Sequence, residues 1–329
     1  AITVKTADKA MLGDTLHNLK FSRITWKGND GFYYSSYDKP KGSKLSSKTE
    51  HHKLYYHRLG TSQRDDVLVF GGEAVPRRYV FADVTEDEQF LIIYAAISTT
   101  GNELYVQNLK DPHGTLNKIV DNVDHDHIVI DNDGQRLIIQ TNLNAPNNRI
   151  VEADVANPSP ENWKDIVPET ENTIQQISMA GRKMFVQYLK DAATLIKQYD
   201  YKGTLERDIA LPDIGTATGF SGKAHERDVY YSFTSYVYPT TIFKYDITSG
   251  KSTLYKKPDV DFNPENFETR QVFYTSKDGT KIPMFIVRKK GLEQNGKNAT
   301  ILYGYGGFSI SLTPNFNAMT IVWLENGGI

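Results

Sequence analysis

The stretch QFLIIYA at 89–95 returns as QRLIIQT at 135–141, RKMFVQY at 182–188 and DVYYSFT at 228–234, and GFYYSSY at 31–37 precedes it. The first residues of these segments are 58, 46, 47 and 46 positions apart. A polar turn stands before each: GNDG at 28–31, TEDE at 85–88, DNDG at 131–134, MAG at 179–181 and HER at 225–227. Asp-Gly and Asn-Asp-Gly supply the positive φ angles that tight hairpins demand. A second strand follows in every unit: KLYYHR from Lys53, ELYVQ from Glu103, RIVEA from Arg149, TLIKQY from Thr194 and TIFKY from Thr241. Closing strands such as VLVF (67–70), WKDIV (163–167) and STLY (252–255), and leading strands such as SRITW (22–26) and RYVFADV (78–84), complete the set. Four strands in a repeat of about 46 residues predict the blade of a β-propeller. A β-sandwich or barrel has no reason for such even spacing, and the Trp-Asp and Gly-His signatures of WD40 repeats are missing. Five complete units are expected, with residues 1–19 as the tail of another. The polar run DKPKGSKLSSKTEHH (38–52) reads as a solvated loop in the first.

Composition narrows the functional classes. Thirty-eight Lys and Arg against 40 Asp and Glu give a net charge of −2, which excludes a broadly basic nucleic-acid surface. Apolar runs reach about seven residues, against roughly 20 for a membrane-spanning helix. The absence of cysteine excludes disulfides, thiolate chemistry and Cys-bound metals. The first residues show no signal-peptide pattern. A cytoplasmic location is expected, with the periplasm as the alternative.

The pattern changes near residue 262. RQVFYTSKDGTKIPMFIVRKK (270–290) predicts a hairpin turning at Asp278-Gly279. NATILYGYGGFSI (298–310) is a nearly continuous apolar run into a glycine cluster, which predicts a strand buried on both faces, as in an α/β sheet. TPNFNAMTIVWLENGG (313–328) predicts a helix with Thr313 as cap, Pro314 in the first turn and Gly327 as stop. Residues 1–262 are therefore expected to be propeller and 263–329 the start of a second domain.

Few residues suggest chemistry. His51, His52 and His57, and His125 and His127, lack metal-ligand spacing and read as histidines in exposed loops between strands. GFSGK (219–223) misses the spacing of a nucleophile elbow. The informative motif is Tyr303-Gly304-Tyr305-Gly306-Gly307-Phe308, where glycines admit a ligand close to the backbone. A tyrosine hydroxyl at such a place can donate to a developing oxyanion, although from the residues alone a glycine-rich turn with packed aromatics is the better reading.

SKDGTKIPMFIVRKKG (276–291) followed by ILYGYGGFSISLTPNF (301–316) closely resembles the prolyl oligopeptidase family of serine peptidases, as do KLYYHRLGT (53–61) and FTSYVYPTTIFKYD (233–246). The resemblance runs along essentially the whole chain. It implies a seven-bladed propeller joined to an α/β-hydrolase domain, and cleavage of short peptides after proline. This chain would then begin inside the propeller and stop early in the hydrolase domain. The family's Ser, Asp and His fall beyond Ile329, so the chain alone is expected to be inactive. Tyr305 matches the tyrosine of the family's oxyanion hole, and Phe308 an aromatic of its proline pocket. Phe21 resembles a propeller residue lining the pocket two positions further along the peptide. Tyr79 stands where another such residue, methionine in one family member, is found. The partners implied are short proline-containing peptides, with no cofactor, nucleic acid or membrane, and the full-length enzyme is expected to be monomeric. The alternatives are a non-catalytic propeller that binds peptides or proteins, and a related oligopeptidase of other specificity.

Overall fold

The computed structural model describes residues 1–37, 42, 50–111, 113–308 and 310–329. Most of the polar run at 38–52 therefore lies outside the described residues. Strands β1 (Ile2–Val4) and β2 (Met11–Thr15) form a two-stranded sheet. Five four-stranded antiparallel meanders follow in chain order. The first holds β3 (Ile24–Lys27), β4 (Gly31–Ser36), β5 (Lys53–Arg58) and β6 (Val67–Gly71). The second holds β7 (Tyr79–Val84), β8 (Phe90–Ala96), β9 (Glu103–Asn108) and β10 (Leu116–Val120). The third holds β11 (His127–Asp133), β12 (Arg136–Thr141), β13 (Arg149–Asp154) and β14 (Lys164–Val167). The fourth runs through β15 (Thr173–Ala180), β16 (Lys183–Lys190), β17 (Ala193–Asp200) and β18 (Leu205–Asp208). The fifth runs through β19 (Thr216–Gly219), β20 (Asp228–Ser235), β21 (Tyr238–Asp246) and β22 (Ser252–Lys256). Each is the four-stranded sheet of a propeller blade, so the 46-residue repeat has the predicted content.

The chain divides into two compact units, Ala1–Pro168 and Glu169–Ile329. In the first unit, β8 shows why its segment is apolar without a break. Leu91, Ile93 and Ala95 pack into one core with Tyr33 and Leu54 of the first meander. Phe90, Ile92 and Tyr94 pack into another with Leu137, Ile139, Val151 and Ala153 of the third. Alternate side chains of one strand leave by opposite faces, so a strand between two stacked sheets must be apolar at every position.

In the second unit the fourth and fifth meanders share one core, in which Phe220 stacks on Tyr231 at 4.5 Å between ring centres and on Phe185 at 5.3 Å. Gly181 and Arg182 join β15 to β16 with φ of 57° and 56°, a two-residue turn whose left-handed backbone matches the twist of the strands. The predicted hairpin follows as β23 (Phe267–Thr275) and β24 (Lys281–Lys289), with Gly279 at φ 88° in its turn.

Two expectations for the last sixty residues are corrected. Among the described residues of 298–310 there is no strand, and Ile301, Leu302, Tyr303 and Ile310 are exposed. A strand is held by its neighbours' backbone groups, and this segment meets a partner at one point. The Ile329 N–H donates to Ala299 O and the Ile301 N–H donates to Ile329 O, both at 2.9 Å, which is the pattern that opens a parallel pair. The helix α1 (Ala318–Glu325) is capped by Asn317, whose side chain accepts the Met319 N–H at 2.9 Å, and not by Thr313. Residues 314–316 are held outside the helix by the fifth meander: the Thr216 hydroxyl donates to Pro314 O, and the Phe316 N–H to Thr234 Oγ1. Gly327, at φ 83°, ends the helix as expected, and Ile321 and Leu324 pack with Val237 and Phe267.

Candidate functional site

Phe21 lies in the loop between β2 and β3. Its φ is 53°, a left-handed backbone that costs a residue with a side chain about 1–2 kcal/mol. The surrounding loop is clipped to β4, since Ser22 Oγ accepts the Ser35 N–H at 2.9 Å and the Ser36 hydroxyl donates to Asn18 O at 3.0 Å. This holds the Phe21 ring 56% exposed. Tyr79 is the first residue of β7, and its ring meets Phe21 edge to face at 5.4 Å. Lys20 Nζ stands 5.5 Å from the centre of the Phe21 ring. The two sequence-predicted propeller residues, 58 positions apart, therefore form one aromatic shelf with a cation at its edge. Such a shelf offers an apolar side chain a π face and an edge to pack on.

Tyr305 and Phe308 lie in the other unit. Phe308 is 91% exposed, with a left-handed φ of 55°, and Tyr305 is about half exposed. The Tyr305 hydroxyl sits over Gly307, where an added Cβ would stand 3.2 Å from it. The glycine thus leaves room for the phenol. A phenol so placed can donate one hydrogen bond to an oxygen bearing developing charge.

The histidines read as loop residues are placed differently. His52 and His57 are fully buried, and His127 is buried at the start of β11. The His52 and His57 imidazoles serve as bridges between backbone segments or charges, with partners on both nitrogens, while His127 Nδ1 lies 2.9 Å from the Thr141 hydroxyl. His57 Nδ1 lies 2.7 Å from Asp66 Oδ1 and Nε2 lies 3.1 Å from Asp14 Oδ1, all three side chains being almost fully buried. Two hydrogen bonds need two protons, so the three groups together carry one net negative charge whichever of them hold those protons. The Gly60 N–H at 2.6 Å donates to Asp14, and the Tyr34 hydroxyl at 2.6 Å to Asp66. Burial pushes the Asp14 carboxyl up, but the Gly60 N–H and His57 outweigh it and hold it below the usual carboxylate range. For His127 burial dominates, with the neighbouring His125 adding to it, and brings the ring down to about 4. No sequence signal reveals these clusters, because Asp14 and His57 are 43 residues apart.

Residues 1–258 match the family model described as prolyl oligopeptidase, N-terminal β-propeller domain. The chain is 50% identical over all of its 329 residues to the prolyl endopeptidase of Elizabethkingia miricola, of which it covers 46%. It is 32% identical, over 96% of its length, to a dual function macrocyclase-peptidase of Galerina marginata, of which it covers 45%. A solved prolyl endopeptidase superposes over 99% of the chain at a TM-score of 0.89 with 32% identity, the chain covering 48% of it. Prolyl oligopeptidase B of Galerina marginata, solved with a 35-residue hydrolysis and macrocyclisation substrate, superposes at 0.86 over 97% of this chain and 45% of that one, with 30% identity. The chain thus spans about half the length of the relatives it matches. With the repeat, the five meanders and the family model in agreement over the first 258 residues, the chain belongs to the prolyl oligopeptidase family.

Proposed function

We propose that this chain is part of a serine endopeptidase that cleaves short peptides on the carboxyl side of proline. The observation that carries the reading is the 50% identity to prolyl endopeptidases along the whole chain. In this reading residues 1–262 are propeller and 263–329 open the α/β-hydrolase domain. The segment 299–301, the helix α1 and Ile329 form the first strand–helix–strand step, in support of which Ile329 already makes parallel-type bonds to 299 and 301. The apolar side chains of 301–310 would be covered once further strands pair beside them.

The chemistry follows from residue types. A serine outside these 329 residues attacks the carbonyl after proline. The Tyr305 hydroxyl donates to the oxygen that becomes negative in the tetrahedral intermediate, together with a backbone N–H. The exposed Phe308 ring packs flat on the pyrrolidine of the proline. Phe21 and Tyr79 receive a side chain two positions further along the peptide, and the propeller admits short peptides while excluding folded proteins. The full-length enzyme acts as a monomer in the cytoplasm, without cofactor. The test is hydrolysis of a Gly-Pro-linked chromogenic substrate by the full-length protein and by residues 1–329 alone. Turnover by the first and none by the second is the expected outcome; a full-length protein that binds proline peptides without cleaving them would sink the peptidase reading.

A further inference from the structure

We infer that His52 is a positioning residue for the Phe21–Tyr79 shelf, fixing the distance between its two rings from inside the protein. The inference rests on the reading of that shelf as a peptide-binding surface. His52 is fully buried, immediately before β5. Its Nδ1 accepts the Val80 N–H at 2.9 Å, and its Nε2 stands 3.2 Å from Lys20 O. A backbone N–H can only donate and a carbonyl can only accept, so the two contacts dictate one tautomer, with the proton on Nε2. Burial lowers the ring's pKa and favours this uncharged form.

The placement of the two bonds gives the ring its role. Lys20 is the residue before Phe21, and Val80 is the residue after Tyr79. One imidazole therefore joins the backbone that carries the first aromatic to the backbone that carries the second, each bond falling on the peptide group directly next to the aromatic residue. The His52 ring also meets the Tyr79 ring edge-on at 6.1 Å. From the other side, the Ser35 hydroxyl donates to Val80 O at 2.6 Å, so Val80 is held by both of its polar groups. Phe21 has no strand to fix it and sits in a left-handed backbone. Beside the clips that Ser22 and Asn18 make to β4, Lys20 O is the tie that falls on the peptide group entering Phe21, and a ring held in a disfavoured backbone shifts when such a tie is released.

Two substitutions separate the two bonds in the full-length enzyme. His52→Asn keeps an acceptor where Nδ1 stands and loses the reach to Lys20 O. His52→Gln reaches Lys20 O and loses the acceptor for Val80. Two chromogenic substrates serve as probes, one carrying only proline and one residue before it, the other with a phenylalanine added further along the peptide. For His52→Asn, KM for the longer substrate should rise about three- to tenfold, the worth of an aromatic contact, with kcat unchanged. KM for the shorter substrate should stay within about twofold, and adding Phe21→Ala should have little further effect. His52→Gln, tied at Lys20, should show the smaller change. If Phe21→Ala raises KM for the longer substrate while His52→Asn does not, the positioning role is overturned and the peptide-binding reading stands. Equal losses on both substrates, tracking a lower Tm, overturn it as well. If Phe21→Ala itself leaves the longer substrate untouched, the reading of the shelf falls, and the inference with it.

Discussion

Replacing His57 with leucine tests the buried charge cluster that ties β2 to the first meander. The substitution removes the proton donor from Asp66 Oδ1 at 2.7 Å and from Asp14 Oδ1 at 3.1 Å, and leaves two nearly inaccessible carboxyl groups facing an apolar side chain. Breaking a buried pair by removing one partner costs about 3–5 kcal/mol, because the remaining charge is uncompensated. Opening of this region should become about 10²- to 4 × 10³-fold more frequent, at 1.4 kcal/mol per tenfold. Amide hydrogen exchange over β4 and β5 reads this directly, and protection there should fall by that factor while β16 and β20 in the other unit keep theirs. Trp26 gives a second probe, since its ring packs 5.0 Å from Phe32, which lies 5.1 Å from His57. Asp14→Asn is the control: it keeps an acceptor for both the Gly60 N–H and His57, and should cost about 1 kcal/mol or less. A loss below about 1 kcal/mol for His57→Leu would refute the reasoning, because the carboxyl groups would then have found water or another donor.

Three further outcomes are expected. In the full-length enzyme Tyr305→Phe should lower kcat by roughly 10²-fold with KM little changed, the usual effect of losing one oxyanion donor; an unchanged kcat removes the phenol from the mechanism. Phe308→Ala should raise KM for proline substrates while Tm stays within about 1 °C, because a ring 91% exposed contributes little to folding; a matching loss of stability would make it a packing residue. His127, brought down to about 4 by burial, takes up a proton in the unfolded chain below about pH 6.5 that the folded chain refuses. Its contribution to stability is therefore complete above about pH 6.5 and lost on the way down to pH 4. Urea titrations at several pH values should show His127→Gln flattening this slope, and an unchanged slope would contradict the assignment.

The sequence by itself determined the repeat and therefore the sheets. Apolar alternation, even spacing and Gly- or Asp-containing turns are local properties, and they placed the inner strands of all five meanders and the hairpin at Asp278-Gly279 within a few residues. Motif resemblance drew attention to Phe21, Tyr79, Tyr305 and Phe308. Only the tertiary structure decided what depends on partners distant in the chain. It shows no strand among the described residues of 301–310, since a strand exists through the neighbours that accept and donate its bonds, and the Ile301 N–H meets Ile329 O at a single point. It moves the helix cap from Thr313 to Asn317, because the fifth meander holds residues 314–316 for itself. It turns His52 and His57 from loop residues into buried bridges, and buries His127 beside the Thr141 hydroxyl. A polar side chain looks solvent-facing in a linear sequence, and burial becomes tolerable only when groups many positions away satisfy both of its nitrogens.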